Sequence, residues 1–423
     1  MTNFDEKDLL TRELRERSGD VGGHPIDFAS VRHSARRIRR RRAAVTGAVA
    51  ALVAAAALPA GLAITSSIDP AYGPAEQPSV APTPAPKPAP APAPTPRPDG
   101  TFPLALEGLP RGADPKVSYV LAREKVLVTP QQTFDLPAAY SQVTPYREGW
   151  LATLGGENGW ENVVLDAGMD VERTTLGGAA LVPSADGTRV LHSQRDFEEP
   201  GRTVVVDEPS VADHERQALT WEAPRNSTVV PVGYLGEQRV VFQTEGGEDP
   251  AITLATYDGG PTTVPLQGFL RLTSASEAAG LVAGLVSYDP TEGGCYGVMD
   301  PAVSTTETLW ETCDYSLYEF SPDGRHVIAG TTYFDMWGPS QLAVLDVATG
   351  EPVVEFTPER RDTVVQVAQA TWEDEDTVAA IVVEGDEMGM VRAELTGALE
   401  AVTDTFTAQD MSLRLWFADS PRS

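Results

Sequence analysis

From residue 101 onward, short β-branched runs alternate with polar breaks: NVVLDAG, RTVVVDEP, RVVFQT, GLVAGLVSYD, HVIAGTTYF, QLAVLDVATG and TVAAIVVEGD. Each run is too short for a helix and is bounded by Gly, Asp or Pro, the pattern of strands separated by tight turns. No long stretch repeats with the helical period, so this region is expected to be all-β.

A turn followed by a strand recurs at Arg147 (REGWLAT), Asp186 (SADGTRVLHS), Gly236 (LGEQRVVFQT), Ala278 (SEAAGLVAGL), Asp323 (SPDGRHVIAG) and Asp374 (DEDTVAAIVV). The intervals are 39, 50, 42, 45 and 51 residues. A period of about 45 residues accommodates four antiparallel strands with their turns, one propeller blade each. In SPDG, Ser321 and Asp323 cap a tight turn, Pro322 fixes φ and Gly324 supplies positive φ; Ser184–Gly187 echoes it. The expected fold is a six-bladed β-propeller, with seven blades as the alternative, over residues 101–423. Strands in KVSYVLAREKVLV complete the last blade and close the ring. On these motifs the region resembles the WD40-like or TolB-like propellers of bacterial envelopes, and the whole chain resembles actinobacterial single-span proteins with such an ectodomain. The Gly-His and Trp-Asp pairs of eukaryotic WD40 repeats do not recur.

Upstream the pattern changes. Residues 43–64 form 22 consecutive positions without a charge, about half of them alanine; at 1.5 Å per helical residue they span about 30 Å of hydrocarbon. Arg36, Arg37, Arg39, Arg40, Arg41 and Arg42 abut this run, and positive charge is retained on the cytoplasmic side. The N-terminus is therefore expected inside and the rest outside, in a single-pass membrane protein. The rival is a cleaved signal, with Gly61 and Ala63 at its −3 and −1 positions. Four regions follow: a basic cytoplasmic tail of short helices (1–42), a transmembrane helix (43–66), a Pro-rich disordered linker (67–100) and the ectodomain (101–423). Within 70–99, 12 of 30 residues are proline, so the linker is a polyproline II stalk reaching about 90 Å at about 3.1 Å per residue.

Charge separates these regions. Residues 1–42 carry eleven Lys/Arg against seven Asp/Glu, whereas 101–423 carry 19 against 51, a net of −32. A phosphate backbone would be repelled by the large part, which excludes a nucleic-acid partner. The arginine cluster is read as contacting anionic lipid. The thin stripe Leu9, Leu10 and Leu14 leaves room for a cytoplasmic protein partner, but the tail has no Cys for the zinc pattern of many anti-sigma domains.

Cys295 and Cys313 lie 18 apart in GGCYGVMDPAVSTTETLWETCDYS. Two strands joined near Pro301 would place them side by side, which in an oxidising compartment reads as a disulfide; a metal or thiol-catalysis reading lacks a nearby His. No GxSxG, HExxH, Walker A or dinucleotide fingerprint is present. His192, His214 and His326 are scattered, and the abundance of carboxylates makes any pairing uninformative. No catalytic residue, cofactor or metal is therefore expected.

The most unusual segment is GTTYFDMWGPSQ, where Tyr333, Phe334, Asp335, Met336 and Trp337 stand where a short polar turn should join two strands. An aromatic loop at a propeller rim is a docking candidate, with packing between blades as the alternative. The function expected is a non-enzymatic, membrane-tethered propeller that binds a protein or cell-wall polymer. The alternatives are an anti-sigma-like transmembrane regulator with a sensing ectodomain, and an envelope hydrolase or lyase.

Overall fold

The run TVAAIVVE forms the strand Thr377–Glu384, and its two faces show how the domain is built. Val378, Ala380 and Val382 pack into one core cluster, while Ala379, Ile381 and Val383 pack into another. Successive side chains leave a strand on opposite faces, so a continuous apolar run is what a strand needs when neighbouring sheets cover it on both sides.

In the computed structural model, the described residues are 95–418 apart from 157–158, 196–202, 211–218, 223–226, 246–250, 257–262, 291–292, 333–337, 360–363 and 408–414. The residues expected to form the cytoplasmic tail with its arginines, the membrane span and the linker as far as residue 94 lie outside them. Among the described residues no helix is long and apolar enough to cross a membrane.

The strands form six sheets. Sheet 1 pairs Tyr119–Leu121 with Val126–Val128 and Thr133–Asp135 on one side and with the late strand Leu415–Phe417 on the other. Sheet 2 is a seven-stranded meander of Gln142–Tyr146, Gly149–Gly156, Gly159–Leu165, Val171–Pro183, Arg189–Arg195, Thr203–Pro209 and Leu219–Glu222. Sheet 3 contains Thr228–Tyr234, Arg239–Glu245, Ala251–Thr256 and Thr263–Leu266. Sheet 4 contains Arg271–Ala275, Val282–Asp289, Gly293–Met299 and Trp310–Thr312. Sheet 5 contains Tyr315–Phe320, His326–Thr331, Leu342–Asp346 and Pro352–Pro358. Sheet 6 contains Val365–Asp374, Thr377–Glu384, Glu387–Glu394 and Leu399–Ala401, with Phe406–Thr407 also on Glu387–Glu394.

Core clusters join each sheet to the next. Leu191 and Val205 of sheet 2 meet Val229 and Phe242 of sheet 3. Val241 and Leu254 of sheet 3 meet Leu272 and Met299 of sheet 4. Ala283 and Val298 of sheet 4 meet Leu317 and Val327 of sheet 5. Ile328 and Val344 of sheet 5 meet Val378 and Val391 of sheet 6. The ring closes where Ile381 and Met390 of sheet 6 meet Trp416 of sheet 1 and Val143 of sheet 2. The result is a β-propeller arrangement in which five sheets of four or five strands stand as separate blades.

Sheet 2 departs from a one-sheet-per-unit pattern through the 13-residue strand Val171–Pro183. Its first half pairs with Gly159–Leu165 and its second half with Arg189–Arg195. Gly177 and Gly178 sit at the changeover, where a Cβ at Gly178 would lie 1.8 Å from Ser193 Oγ. Only glycine lets the strand pass that close to its neighbour.

The chain does not enter the propeller as a free linker. Composition places residues 95–100 in the disordered linker, but Arg97 already donates to Thr357 Oγ1 (2.9 Å) and Pro358 O (3.2 Å) at the edge of sheet 5. Phe102–Leu104 then adds a parallel fifth strand to that sheet, with Leu104 fully buried. Farther on, Leu106 N donates to Glu384 Oε2 (2.7 Å) and Gly112 N to Ala401 O (2.9 Å), both in sheet 6. Arg392 donates to the carbonyls of Ala113 and Asp114 (3.2 and 3.1 Å). This strap ties two sheets to the incoming chain before residue 119.

Candidate functional site

The recurring turns all join the first and second strands of their units. Ser184 Oγ donates to Asp186 Oδ1 (2.6 Å) and accepts from Arg189 N (3.0 Å); Ser321 Oγ does the same with Asp323 Oδ1 (2.6 Å) and His326 N (2.9 Å). The Ser184 hydroxyl, aided by Thr188, holds the Asp186 carboxyl down at about 2. Burial pushes Asp323 up, but Ser321 and Arg325 outweigh it and bring that carboxyl also to about 2. Glu277, in the sheet 4 turn, accepts from Ala185 N in the sheet 2 turn (2.7 Å), while its carbonyl accepts from Gly236 N in the sheet 3 turn (3.0 Å). Burial raises the Glu277 carboxyl above its ordinary value.

Behind the Ser184 turn, the strands Arg189–Arg195 and Thr203–Pro209 carry an ion pair on one face and a histidine–carboxylate hydrogen bond on the other. Alternation sends Arg189 and Asp207 toward sheet 3, where the guanidinium forms a two-pronged pair with the carboxylate (Nε–Oδ1 3.2 Å). Tyr234 of sheet 3 donates its hydroxyl to Asp207 Oδ1 (2.9 Å), and its ring lies 4.8 Å below the guanidinium. Alternation sends His192 and Glu208 the other way, toward the first strands of sheet 2, with Nε2 and Oε1 2.8 Å apart. Asn162 offers one amide hydrogen to Ser193 O (2.9 Å) and the other to His192 Nδ1 (3.1 Å), which leaves Nε2–H as the donor to Glu208. Burial, the largest influence on Glu208, pushes its carboxyl up; the hydrogen bond from His192, with Tyr146 and Arg147, outweighs it, so the net is downward.

Arg147, which reaches Glu208, also lines an open cavity of about 580 Å³ formed at the turns of the first sheet 2 strands. Arg147 is in the left-handed region (φ 56°), its N–H bound to Ser210 O; its guanidinium lies 4.9 Å over the Tyr146 ring and 3.7 Å from Glu208 Oε2. Gly149 is obligatory, because a Cβ there would lie 2.1 Å from Leu165 O. Opposite, Val164 pairs with Arg173 but Leu165 with Val171, so Glu172 is the extra residue of a β-bulge. A bulge re-aims side chains, and here Glu172 and Arg173 both line the cavity although strict alternation would part them. Tyr146 is buried and lines the same space. Its hydroxyl makes no hydrogen bond of normal geometry among the described residues, and burial together with the Glu208 charge pushes it up to about 12.

Cys295 and Cys313 form the expected disulfide. Cys295 lies in Gly293–Met299 and Cys313 directly follows Trp310–Thr312; the Tyr296–Thr312 pairing sets the two cysteines side by side, Cα atoms 4.0 Å apart. Tyr333, Phe334, Asp335, Met336 and Trp337 lie outside the described residues, as does His214. Just beyond them, Pro339 O accepts from Val367 N of sheet 6 (2.8 Å). His326 stacks on Trp372 with ring centroids 6.3 Å apart. Among the described residues no group of three His, Cys, Asp and Glu side chains could hold a metal ion.

Sequence reasoning registered Arg147 only as a turn marker and did not single out Tyr146, Glu172 or Arg173. No sequence signal marks them, because arginine occurs throughout the domain and only the fold brings Arg147 and Arg173 to one cavity.

The sequence matches no protein-family model and no curated protein. Similar solved structures include the β-propeller domain of the Trilobed protease from Pyrococcus furiosus, at 12% identity and TM-score 0.43 over 63% of this chain and 84% of that one. A puromycin hydrolase S511A mutant aligns at 15% identity and TM-score 0.46 over 72% of this chain and 55% of that one. Prolyl oligopeptidase B from Galerina marginata aligns at 9% identity and TM-score 0.46 over 64% and 43%. These neighbours include enzymes with propeller domains; at such identities no activity carries over from them.

Proposed function

We propose that the chain is a single-pass membrane protein whose N-terminus is cytoplasmic and whose extracytoplasmic propeller binds a protein or cell-wall ligand. If the two halves of sheet 2, which share the strand Val171–Pro183, each act as a blade, the count becomes the seven expected as the alternative to six. The observation that carries the tethered reading is the strap. A pull arriving through the proline-rich stalk is taken up by Arg97, the parallel strand Phe102–Leu104 and the Gly112–Ala401 contact. The force is spread over sheets 5 and 6 before it reaches the ring-closing strands of sheet 1. A disulfide in sheet 4 is in keeping with an oxidising compartment.

The cavity at Tyr146, Arg147 and Arg173 is the binding site of this proposal, and Tyr333–Trp337 is its second contact. A reporter fused after residue 100 tests the topology: it should work only outside the cytoplasm, and a reporter active inside would overturn the reading. Retention of the full chain on isolated envelope material tests the binding.

A further inference from the structure

The geometry points to a short peptide with a free carboxylate as the ligand of the Tyr146–Arg173 cavity, a proposal that rests on the binding-module reading and deepens it. Two guanidinium groups line it, those of Arg147 and Arg173, with the buried Tyr146 ring beneath Arg147. Arg147 is already fixed from below by the Tyr146 ring and from behind by Glu208, so little side-chain freedom remains to be lost when it grips an anion. Arg173 makes no hydrogen bond or ion pair among the described residues and is exposed. Arginine pairs with carboxylate in a planar, two-pronged geometry, which suits a chain terminus.

The rest of the lining argues against a bare anion. Glu148, Asp166 and Glu172 also face the cavity, so three carboxylates stand against two arginines. Asp166 is spent on its own turn, accepting from Gly168 N and Asp170 N (2.8 and 2.9 Å). Glu148 and Glu172 have no partner among the described residues and are exposed at the rim. Such a site repels a polyanion and accepts a ligand whose carboxylate lies near a positive charge, such as an ammonium group. At about 580 Å³ the space exceeds a single amino acid and suits a short peptide.

Local backbone irregularity is concentrated here as well. Of the three described non-glycine residues with positive φ, Arg147 (56°) and Met169 (71°) flank the cavity, and the Glu172 bulge forms its third side. Strained conformations persist where the surroundings over-determine them, and they cluster at ligand sites.

The test uses the full-length protein in detergent micelles and a random tetrapeptide mixture in two forms, free acid and C-terminal amide. Retained peptides are quantified by mass spectrometry. The free acids should be enriched about tenfold or more over the amides, a difference of one decade in affinity. Arg173→Gln and Arg147→Gln should each abolish that preference, with Arg173→Gln leaving the melting temperature unchanged. Millimolar inorganic phosphate should not displace the peptides. Equal retention of acids and amides, unchanged preference in Arg173→Gln, or displacement by phosphate overturns the assignment. Retention on envelope material separates this from the broader reading. If wild type and both variants bind there equally, the cavity assignment falls and the binding module stands; if wild type does not bind, the module reading falls.

Discussion

His192 Nε2 lies 2.8 Å from Glu208 Oε1 on one face of a strand pair whose other face holds Arg189 against Asp207. Val190 and Leu191 stand between the two pairs in sequence and are fully buried, one in each flanking core cluster. Four charged or polar groups are thus set back to back through one thin sheet, each pair completed by a tyrosine or asparagine from the neighbouring strands. Removing one partner strands a buried charge, which costs far more than the pair contributes net.

Arg189→Met should therefore destabilise the propeller by about 3–5 kcal/mol, because Asp207 keeps its charge with only Tyr234 to face. Tyr234→Phe, which deletes one hydrogen bond to a charged acceptor, should cost about 1.5–3 kcal/mol. Denaturant melts of the two variants check both values, and a double mutant should fall short of their sum because the groups share Asp207.

Acid should unfold the protein through the carboxyls held low. Asp186, Asp323 and Glu208 all have folded values below their ordinary ones. Each contributes stability that is present above its unfolded value, near 4, and is lost as pH falls through the folded value, near 2 for the two turn aspartates. Melting temperature against pH should drop steeply from about pH 4 to pH 2, and Asp186→Asn with Asp323→Asn should flatten that limb.

Glu277 should behave in the opposite sense. Its folded value is raised by burial, so the folded state binds protons more readily and gains stability as pH falls toward the unfolded value. Glu277→Gln keeps an oxygen to accept from Ala185 N and removes the charge. Its melting temperature at pH 7 should exceed wild type, and the gain should fade at pH 4. A lower melting temperature at pH 7 would show that Arg189 dominates its surroundings.

For the disulfide, native unreduced protein should show no reactive thiol. Replacing Cys295 and Cys313 by serine should cost about 3 kcal/mol, the loop-entropy value for a separation of 18 residues. Thiol labelling before and after denaturation, with a melt of the double variant, provides the measurement.

Leu104→Ala distinguishes a strap from a linker. Leu104 is fully buried in the cluster between sheets 5 and 6, so truncation should cost about 2–5 kcal/mol. A loss below about 0.5 kcal/mol, the range of surface changes, would return this segment to the linker.

Local features were legible in the sequence and non-local ones were not. SPDG and SADG announce themselves because Ser, Asp and Gly at fixed spacing close a turn by bonds within five residues. The strand at LAREKVLV was readable as a ring-closing element, since its unit follows the same turn-and-strand pattern. The parallel pairing of Phe102 with Phe356 carries no such signal, because nothing near Phe102 records a partner so distant in the chain. Nor did the pattern of turns show that Val171–Pro183 serves two units. The site was hidden for a related reason: among so many carboxylates, only strand register selects Asp207 for Arg189 and Glu208 for His192. The Glu172 bulge depends on a one-residue slip that alternation alone does not show.

The partnership of Tyr119–Leu121 with Leu415–Phe417 also sets a timetable. During synthesis the first sheet is made early but keeps an unpaired edge until almost the whole ring has followed. A nascent chain halted anywhere before Leu415 therefore exposes a strand edge open to pairing with other chains.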